Sequence, residues 1–177
     1  MLVDWHGGRA GNNLADLPRG VQNLAGVEFD IRGLIQVFKD REEGLKWGFP
    51  ERVNGVRIGR KLKRVHFLNG SCGGVVPDGT KIGSYVLHFD DGMQKGIPII
   101  YGHDVRDWWK LPGEASEKTH SEIAWNGSNE ASRKQGRSIR LFKSTWENEY
   151  PDVEIDTLDI VSNSEGAAPF LVAITAE

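Results

Sequence analysis

The chain has 177 residues, 38% of them hydrophobic and 27% charged, a composition typical of one globular domain that excludes an intrinsically disordered chain. Its 22 Lys and Arg residues against 25 Asp and Glu residues give a formal net charge of −3, which does not favour nucleic acid as a partner. No apolar run approaches the roughly 18 residues of a membrane span, and no signal peptide is recognisable at the N-terminus. We therefore expect neither a nucleic acid nor a membrane as a partner.

Glycine and asparagine are frequent where the chain begins, and we predict a loosely structured lead-in over residues 1–16, followed by a single domain over residues 17–177. The 22 glycines punctuate the sequence and leave little room for long helices. Short segments with β-branched, aromatic or alternating composition are predicted as strands. In chain order they are residues 27–38, 55–58, 63–68, 84–89, 96–101, 121–125, 138–146, 155–162 and 170–175.

The clearest predicted hairpin spans residues 85–101. Both of its arms alternate apolar with polar residues, and Asp91-Gly92 provides the turn between them. Residues 113–136 contain the helix-forming residue types, but their apolar residues lack a 3.6-residue period, so we interpret this stretch as a loop around a short strand. Many short strands at regular spacing predict an all-β fold, an antiparallel β-sandwich of the jelly-roll type with two facing sheets.

The pentapeptide at residues 70–74, GSCGG, resembles the nucleophile loop of chymotrypsin-like viral cysteine proteases. A nucleophile of that kind needs a histidine base from an earlier part of the fold. His6 and His66 precede Cys72, and neither suits that arrangement. We favour an ordinary thiol in a glycine-rich turn and keep a Cys72 hydrolase as an alternative.

Acidic residues give a second enzyme alternative. A glycosidase needs two carboxylates facing each other across a cleft, and the acids beside tryptophan residues are the candidates. They are Asp104, Asp107, Glu147 and Glu149. The histidines lack the spacing of zinc ligands, so we predict no transition metal and no cofactor. The favoured interpretation is a protein that is not an enzyme.

Aromatic residues beside polar ones are the most informative pattern, because an indole face matches the C–H face of a pyranose ring while polar neighbours bind its hydroxyl groups. Three groups have this composition. The first consists of Tyr101, His103, Arg106, Asp107, Trp108 and Trp109, the second of Trp146, Glu147 and Asn148, and the third of residues 125–129, which begin with Trp125. We expect the first two groups to bind a ligand. Adjacent residues of a strand face opposite sides, so we expect one ring of Trp108 and Trp109 in the core and the other exposed to a ligand or an interface.

The order of several segments resembles a recurring bacterial module. Its motifs here are LPRG at 17–20, GSYVLHFDDG at 83–92, DWW at 107–109, AWNG at 124–127, STWEN at 144–148 and APFLVAIT at 168–175. In these segments the chain is similar to the galactose-binding-like jelly rolls of the NPCBM type, carbohydrate-binding domains attached to large, often exported, bacterial proteins. The resemblance covers about residues 17–177.

The resemblance implies a non-catalytic β-sandwich that recognises a polysaccharide or another glycan, carried within a larger polypeptide whose neighbouring domains are further partners. It also implies that a structural calcium ion is possible, although no ligand set can be named. An assembly module without a glycan ligand stays open as an alternative function, and the compartment stays open as well.

Overall fold

The computed structural model of the chain describes residues 10–39, 48–110, 114, 120–163 and 166–177. In chain order its elements are β1 (Gly20–Leu24), β2 (Val27–Ile31), β3 (Ile35–Gln36), β4 (Arg52–Arg60), β5 (Arg64–Cys72), β6 (Lys81–Phe89), β7 (Gln94–Ile100), β8 (Trp109–Lys110), β9 (Glu122–Gly127), α1 (Glu130–Lys134), β10 (Ser138–Glu147), β11 (Ile155–Ser162) and β12 (Ala168–Ala176). Within these ranges no helix has the length and the apolar character needed to cross a membrane.

The predicted all-β architecture is confirmed, and every predicted strand segment contains a strand. The segment 27–38 is divided into β2 and β3, because the chain leaves the strand conformation over residues 32–34. β1, β8 and the short helix α1 were not predicted. Asn129 caps α1: its side chain accepts a hydrogen bond from the amide of Ser132, and the Ser132 hydroxyl accepts one from the amide of Asn129.

Three antiparallel sheets organise the strands. Sheet I is the β1–β2 hairpin, sheet II has the order β3-β12-β5-β10-β8 with β9 also paired to β10, and sheet III has the order β4-β11-β6-β7. The predicted hairpin is β6 and β7, in which Tyr85 lies opposite Ile97. Gly92 has a φ of 88° in its turn, a conformation that glycine adopts without a steric penalty.

Two hydrophobic clusters lie on either side of sheet II. One contains residues of sheet II and sheet III, including Phe67, Leu87 and Leu158. The other contains residues of sheet II and sheet I, including Leu68 and Phe29. Successive residues of a strand point to opposite faces, so β5 is buried almost throughout because each of its faces meets a different cluster. The expectation of two facing sheets accounts for sheets II and III, and sheet I adds a further layer.

The part of the predicted lead-in that the structure describes, residues 10–16, is packed against the domain. Leu14 is 1% exposed and belongs to the cluster beneath sheet I. Asn12 is 3% exposed, and its Oδ1 accepts hydrogen bonds from the side chains of Trp109 and Asn129. Residues 1–9 lie outside the described residues.

Candidate functional site

The first predicted group lies on a tight turn that follows β7. The amide of Gly102 donates a hydrogen bond to the carbonyl of Val105 at 2.8 Å. Gly102 has a φ of 81°, and a Cβ at this position would lie 2.5 Å from the side chain of Asp78. Tyr101 is 1% exposed, and its hydroxyl accepts a hydrogen bond from the amide of Asp107. Tyr101 is therefore a core residue that fixes the turn.

Arg106 joins this turn to the loop that precedes β6. Its guanidinium donates two hydrogen bonds to the carboxylate of Asp78, at 2.9 and 2.7 Å. The same guanidinium lies 5.8 Å from the centroid of the Tyr101 ring. The predicted role of Arg106 as a hydroxyl partner is thus limited by its bidentate ion pair, which occupies both terminal nitrogens.

His103 is the member of the first group whose side chain faces solvent, with 54% of it exposed. Its Nδ1 lies 2.7 Å from Oδ1 of Asp104, and its ring stacks on that of His120 with centroids 4.7 Å apart. The other carboxylate oxygen of Asp104 accepts a hydrogen bond from the amide of Ile100 at 2.7 Å. The end of β7 therefore holds the Asp104 carboxylate in a fixed position.

The expectation that one ring of Trp108 and Trp109 is exposed is wrong. Trp108 is 1% exposed and Trp109 7%, and the two rings meet edge to face with centroids 6.3 Å apart. Strand alternation fails here because β8 has only two residues and Trp108 precedes it. The amide of Trp108 donates instead to the carbonyl of Ser71, and the indole N–H of Trp109 donates to Asn12. Neither ring offers the exposed face that stacking on a sugar requires.

Asp107 lies beside a buried ion pair. Burial raises the pKa of its carboxyl from 3.8 to about 7, although its Oδ1 accepts a hydrogen bond from the amide of Trp109. The Arg140 side chain is 0% exposed and donates to both carboxylate oxygens of Glu114, at 2.9 and 2.7 Å. Arg140 also donates to the carbonyl of Asp107 at 3.2 Å. Asp107 therefore belongs to the contacts that attach this loop to β10.

The second predicted group contains residues with different environments. The Glu147 side chain is 72% exposed, and its carboxylate lies 3.7 Å from Arg64. Asn148 is 9% exposed, donates to the carbonyl of Leu62 at 2.8 Å, and accepts from the amide of Tyr150 at 2.9 Å. Asn148 thus stabilises the turn after β10, and its side chain is already used by the backbone.

Trp146 is half-buried and lines a small pocket between sheets II and III. The pocket has a volume of about 60 Å³. It brings one residue from the second predicted group next to Asp104, which adjoins the first group in the sequence. The residues around it are Phe67, Asn69, Tyr85, Ile97, Pro98, Ile99, Asp104, Ser144, Thr145 and Trp146.

Asn69 is the polar centre of this pocket. It is 1% exposed, and its Nδ2 donates hydrogen bonds to the Tyr85 hydroxyl at 3.2 Å and to the Ser144 hydroxyl at 2.9 Å. Its Oδ1 is buried and has no hydrogen-bond partner among the described residues. A buried polar atom without a partner costs about 1–3 kcal/mol, so this oxygen has an unused capacity to accept a hydrogen bond.

Sequence reasoning missed Asn69 and Ser144. Ser144 lies within the predicted strand 138–146, whereas Asn69 lies one residue beyond the predicted strand 63–68 and belongs to β5 in the structure. Alternation places Ser144 on the same face as Trp146. Ser144 lies opposite Phe67 in the pairing of β10 with β5, and Asn69 follows Phe67 by two residues on that face. A polar side chain at an inward position between aromatic residues indicates a buried polar site.

The structure also describes Cys72, the alternative nucleophile. It is 0% exposed, and its Sγ lies 3.2 Å from Oε1 of Gln36 and 3.7 Å from the carbonyl of Ala168. Burial raises the pKa of the thiol well above its usual value. A reactive cysteine needs an accessible thiolate, and this environment provides neither the charge nor the access.

Among the described residues, no group of three or more His, Cys, Asp or Glu side chains is arranged to hold a metal ion. The calcium ion that the family resemblance allows therefore has no such side-chain cluster to bind it there, and it stays a prediction.

Comparisons with known proteins add no family assignment. No protein-family model, no curated protein and no solved structure matches the chain. The resemblance to galactose-binding-like modules therefore rests on the sequence motifs alone.

Proposed function

We propose that the chain is a non-catalytic carbohydrate-binding module, a jelly roll of the galactose-binding-like type, and that its sugar site is the pocket beside Trp146. One observation carries this proposal. The half-buried indole of Trp146 and the buried side chain of Asn69 line the same pocket, and the Asn69 oxygen has an unused hydrogen-bonding capacity. An apolar ring face next to a hydrogen-bond acceptor is the combination that a sugar ring recognises.

The chemistry of the pocket supports a division of roles. The Trp146 ring would contact the C–H face of a sugar. A sugar hydroxyl would donate to Oδ1 of Asn69 once this buried amide turns toward the pocket. The carboxylate of Asp104 keeps further acceptor capacity, since each of its oxygens has two lone pairs and one identified contact. The proposed site thus retains Trp146 from the predicted residues and replaces Trp108 and Trp109.

The size of the pocket limits the ligand. A volume of about 60 Å³ has room for about two water molecules, at about 30 Å³ each. This space suits one edge of a single sugar unit and does not suit several units of a chain. We therefore expect recognition of a terminal residue or a side branch of a glycan.

Affinity electrophoresis through a panel of soluble polysaccharides tests the proposal. We expect at least one polysaccharide to retard the protein, and Trp146→Ala to weaken that binding about tenfold or more, because buried tryptophans often dominate binding energy. Trp125→Ala is the matched control, since Trp125 is also partly buried but packs against the other cluster. Lack of retardation by every polysaccharide, or equal retardation of the Trp146→Ala variant, would overturn the proposal.

A further inference from the structure

A second and larger concave region lies on another side of the sandwich, between β4 of sheet III and β12 of sheet II. Its volume is about 570 Å³, within the roughly 300–1,000 Å³ of small-molecule sites. Most of its lining is aliphatic. The principal aliphatic side chains are Leu34, Ile35, Val56, Ile58, Leu171 and Ile174.

Two arginines, Arg57 and Arg60, are the charged residues of this groove, and no acidic residue is among the described residues that line it. Arg52, on the same strand, pairs with Asp159 at 2.7 Å. In contrast, neither Arg57 nor Arg60 has an ion pair or a side-chain hydrogen bond within the ranges that the structure describes. The groove therefore combines an apolar floor with uncompensated positive charge.

The strand register explains how Arg60 reaches the groove. Arg60 lies opposite Ile155 in the pairing of β4 with β11, and Ile155 is 0% exposed in the cluster between sheets II and III. Residues opposite each other in a strand pair share one face of the sheet. Arg60 therefore leaves β4 on the inward face, at the edge where the two sheets diverge, and its charge lies beside the aliphatic floor.

We propose that this groove binds a small amphiphilic anion, with an apolar body against the aliphatic floor and a carboxylate paired with Arg60. Arg57 lies opposite Thr157, between the inward residues Val56 and Ile58, and therefore leaves β4 on the outer face. The charge of the lining selects an anion, and the volume selects a small molecule. Positive charge on an edge strand also discourages edge-to-edge pairing of sheets, but that role does not require a concave apolar floor. The site is separate from the pocket beside Trp146.

Titration of the full chain with octanoate, followed by ¹⁵N–¹H correlation NMR spectra, tests this inference. We expect saturable shifts concentrated in β4, in the second half of β12 and at Leu34. Octan-1-ol, which has the same apolar chain without the charge, is the control ligand, and we expect it to bind more weakly. Absence of shifts at millimolar octanoate, shifts located elsewhere, or equal binding of octan-1-ol would overturn the proposal.

Charge-removing variants test the role of the guanidinium groups. Arg60→Gln should weaken octanoate binding about two- to fivefold, the range for exposed ion pairs. Arg57→Gln should weaken it less, because Arg57 lies opposite Thr157 on the outer face of β4. Lys81→Gln is the matched control, because Lys81 is an exposed cation at the start of β6 and does not line the groove. Unchanged octanoate affinity in the Arg60→Gln variant would contradict the assignment.

Discussion

The buried side chains of Asn69 and Asp107 show that the hydrogen bonding and the pKa of a polar group depend on its neighbours. Asn69 satisfies its two N–H donors within the protein and leaves its carbonyl oxygen without a partner. Asp107 accepts a hydrogen bond from the amide of Trp109, yet burial still dominates and raises its pKa. Burial penalises an ionised carboxylate more than a neutral amide. Asp107 therefore makes the stability of the fold sensitive to pH.

The pH dependence of stability is the prediction at the residue scale. The folded pKa of Asp107 is about 7, against 3.8 for the ordinary group, so the native state holds a proton that the unfolded state releases between these values. The contribution of this group to stability is therefore largest below about pH 4 and declines as pH rises to about 7. At about 1.4 kcal/mol for each pKa unit, the loss is at most about 4 kcal/mol.

Asp107→Asn removes this titration and keeps an oxygen that can accept from the Trp109 amide. We expect the free energy of unfolding of the variant minus that of the original protein, both measured in urea, to be more positive at pH 8 than at pH 5, so that the variant gains relative stability as the pH rises. Glu147→Gln is the control, because Glu147 is exposed. The same difference between Asp107→Asn and the original protein at both pH values would contradict the prediction.

At the scale of elements, the turns differ in how closely other parts of the chain approach them. Gly92, between β6 and β7, and Gly102, after β7, both have positive φ angles, 88° and 81°. A Cβ at Gly92 would meet nothing within 4 Å, whereas a Cβ at Gly102 would lie 2.5 Å from Asp78. Gly92 is thus required by backbone conformation, and Gly102 by conformation and by close packing.

Alanine substitution at these two glycines separates the effects. Gly92→Ala should destabilise the fold by about 1–2 kcal/mol, the cost of a left-handed conformation. Gly102→Ala should cost more, because it also displaces Asp78 from its pair with Arg106. Chemical denaturation measures the free energy of unfolding of both variants. Equal losses in the two variants would mean that the close approach of Asp78 to Gly102 does not contribute to stability.

At the scale of the whole molecule, sheet II is enclosed by layers on both faces. Sheet III covers one face, and sheet I with the described part of the N-terminal segment covers the other. A two-stranded hairpin is marginally stable by itself. The β1–β2 hairpin therefore depends on packing against sheet II, and sheet II depends on the hairpin to remove its second apolar face from water.

Phe29→Ala tests whether this outer layer belongs to the cooperative fold. Phe29 is 0% exposed on β2, and we expect a loss of about 3–5 kcal/mol in the free energy of unfolding. Val21→Ala, on the paired strand β1, is the control: Val21 is 63% exposed and should change stability by less than about 0.5 kcal/mol. A Phe29→Ala variant as stable as the Val21→Ala variant would show that the hairpin is a dispensable layer.

The sequence was sufficient where the decisive interactions are local. Alternation over residues 85–101 and the Asp91-Gly92 turn predicted the hairpin of β6 and β7. α1 was missed because its five residues have no hydrophobic period, and a cap at Asn129 defines its beginning. β8 was missed because two residues cannot establish an alternating pattern.

The residues of the candidate site also differ in whether local sequence or distant contacts decide their environment. Trp146, one of the predicted ligand residues, lines the pocket, and it lies at the end of a long strand whose last residues alternate between half-buried and exposed. Trp108 and Trp109 had the same composition around them, but the layer that covers them comes in part from Asn12, far away in the sequence. No local pattern contains that information.

The sequence by itself determined where most of the strands lie, the antiparallel pairing of β6 with β7 at a short turn, and the alternation of side chains along those two strands. These properties follow from backbone geometry and from the two-residue period of side chains. Only the tertiary structure decided which aromatic rings remain near solvent, which polar atoms remain without a partner, and where the two sheets diverge to leave a groove. Those properties depend on contacts between segments distant in sequence, where burial is set by whichever layer packs above a residue.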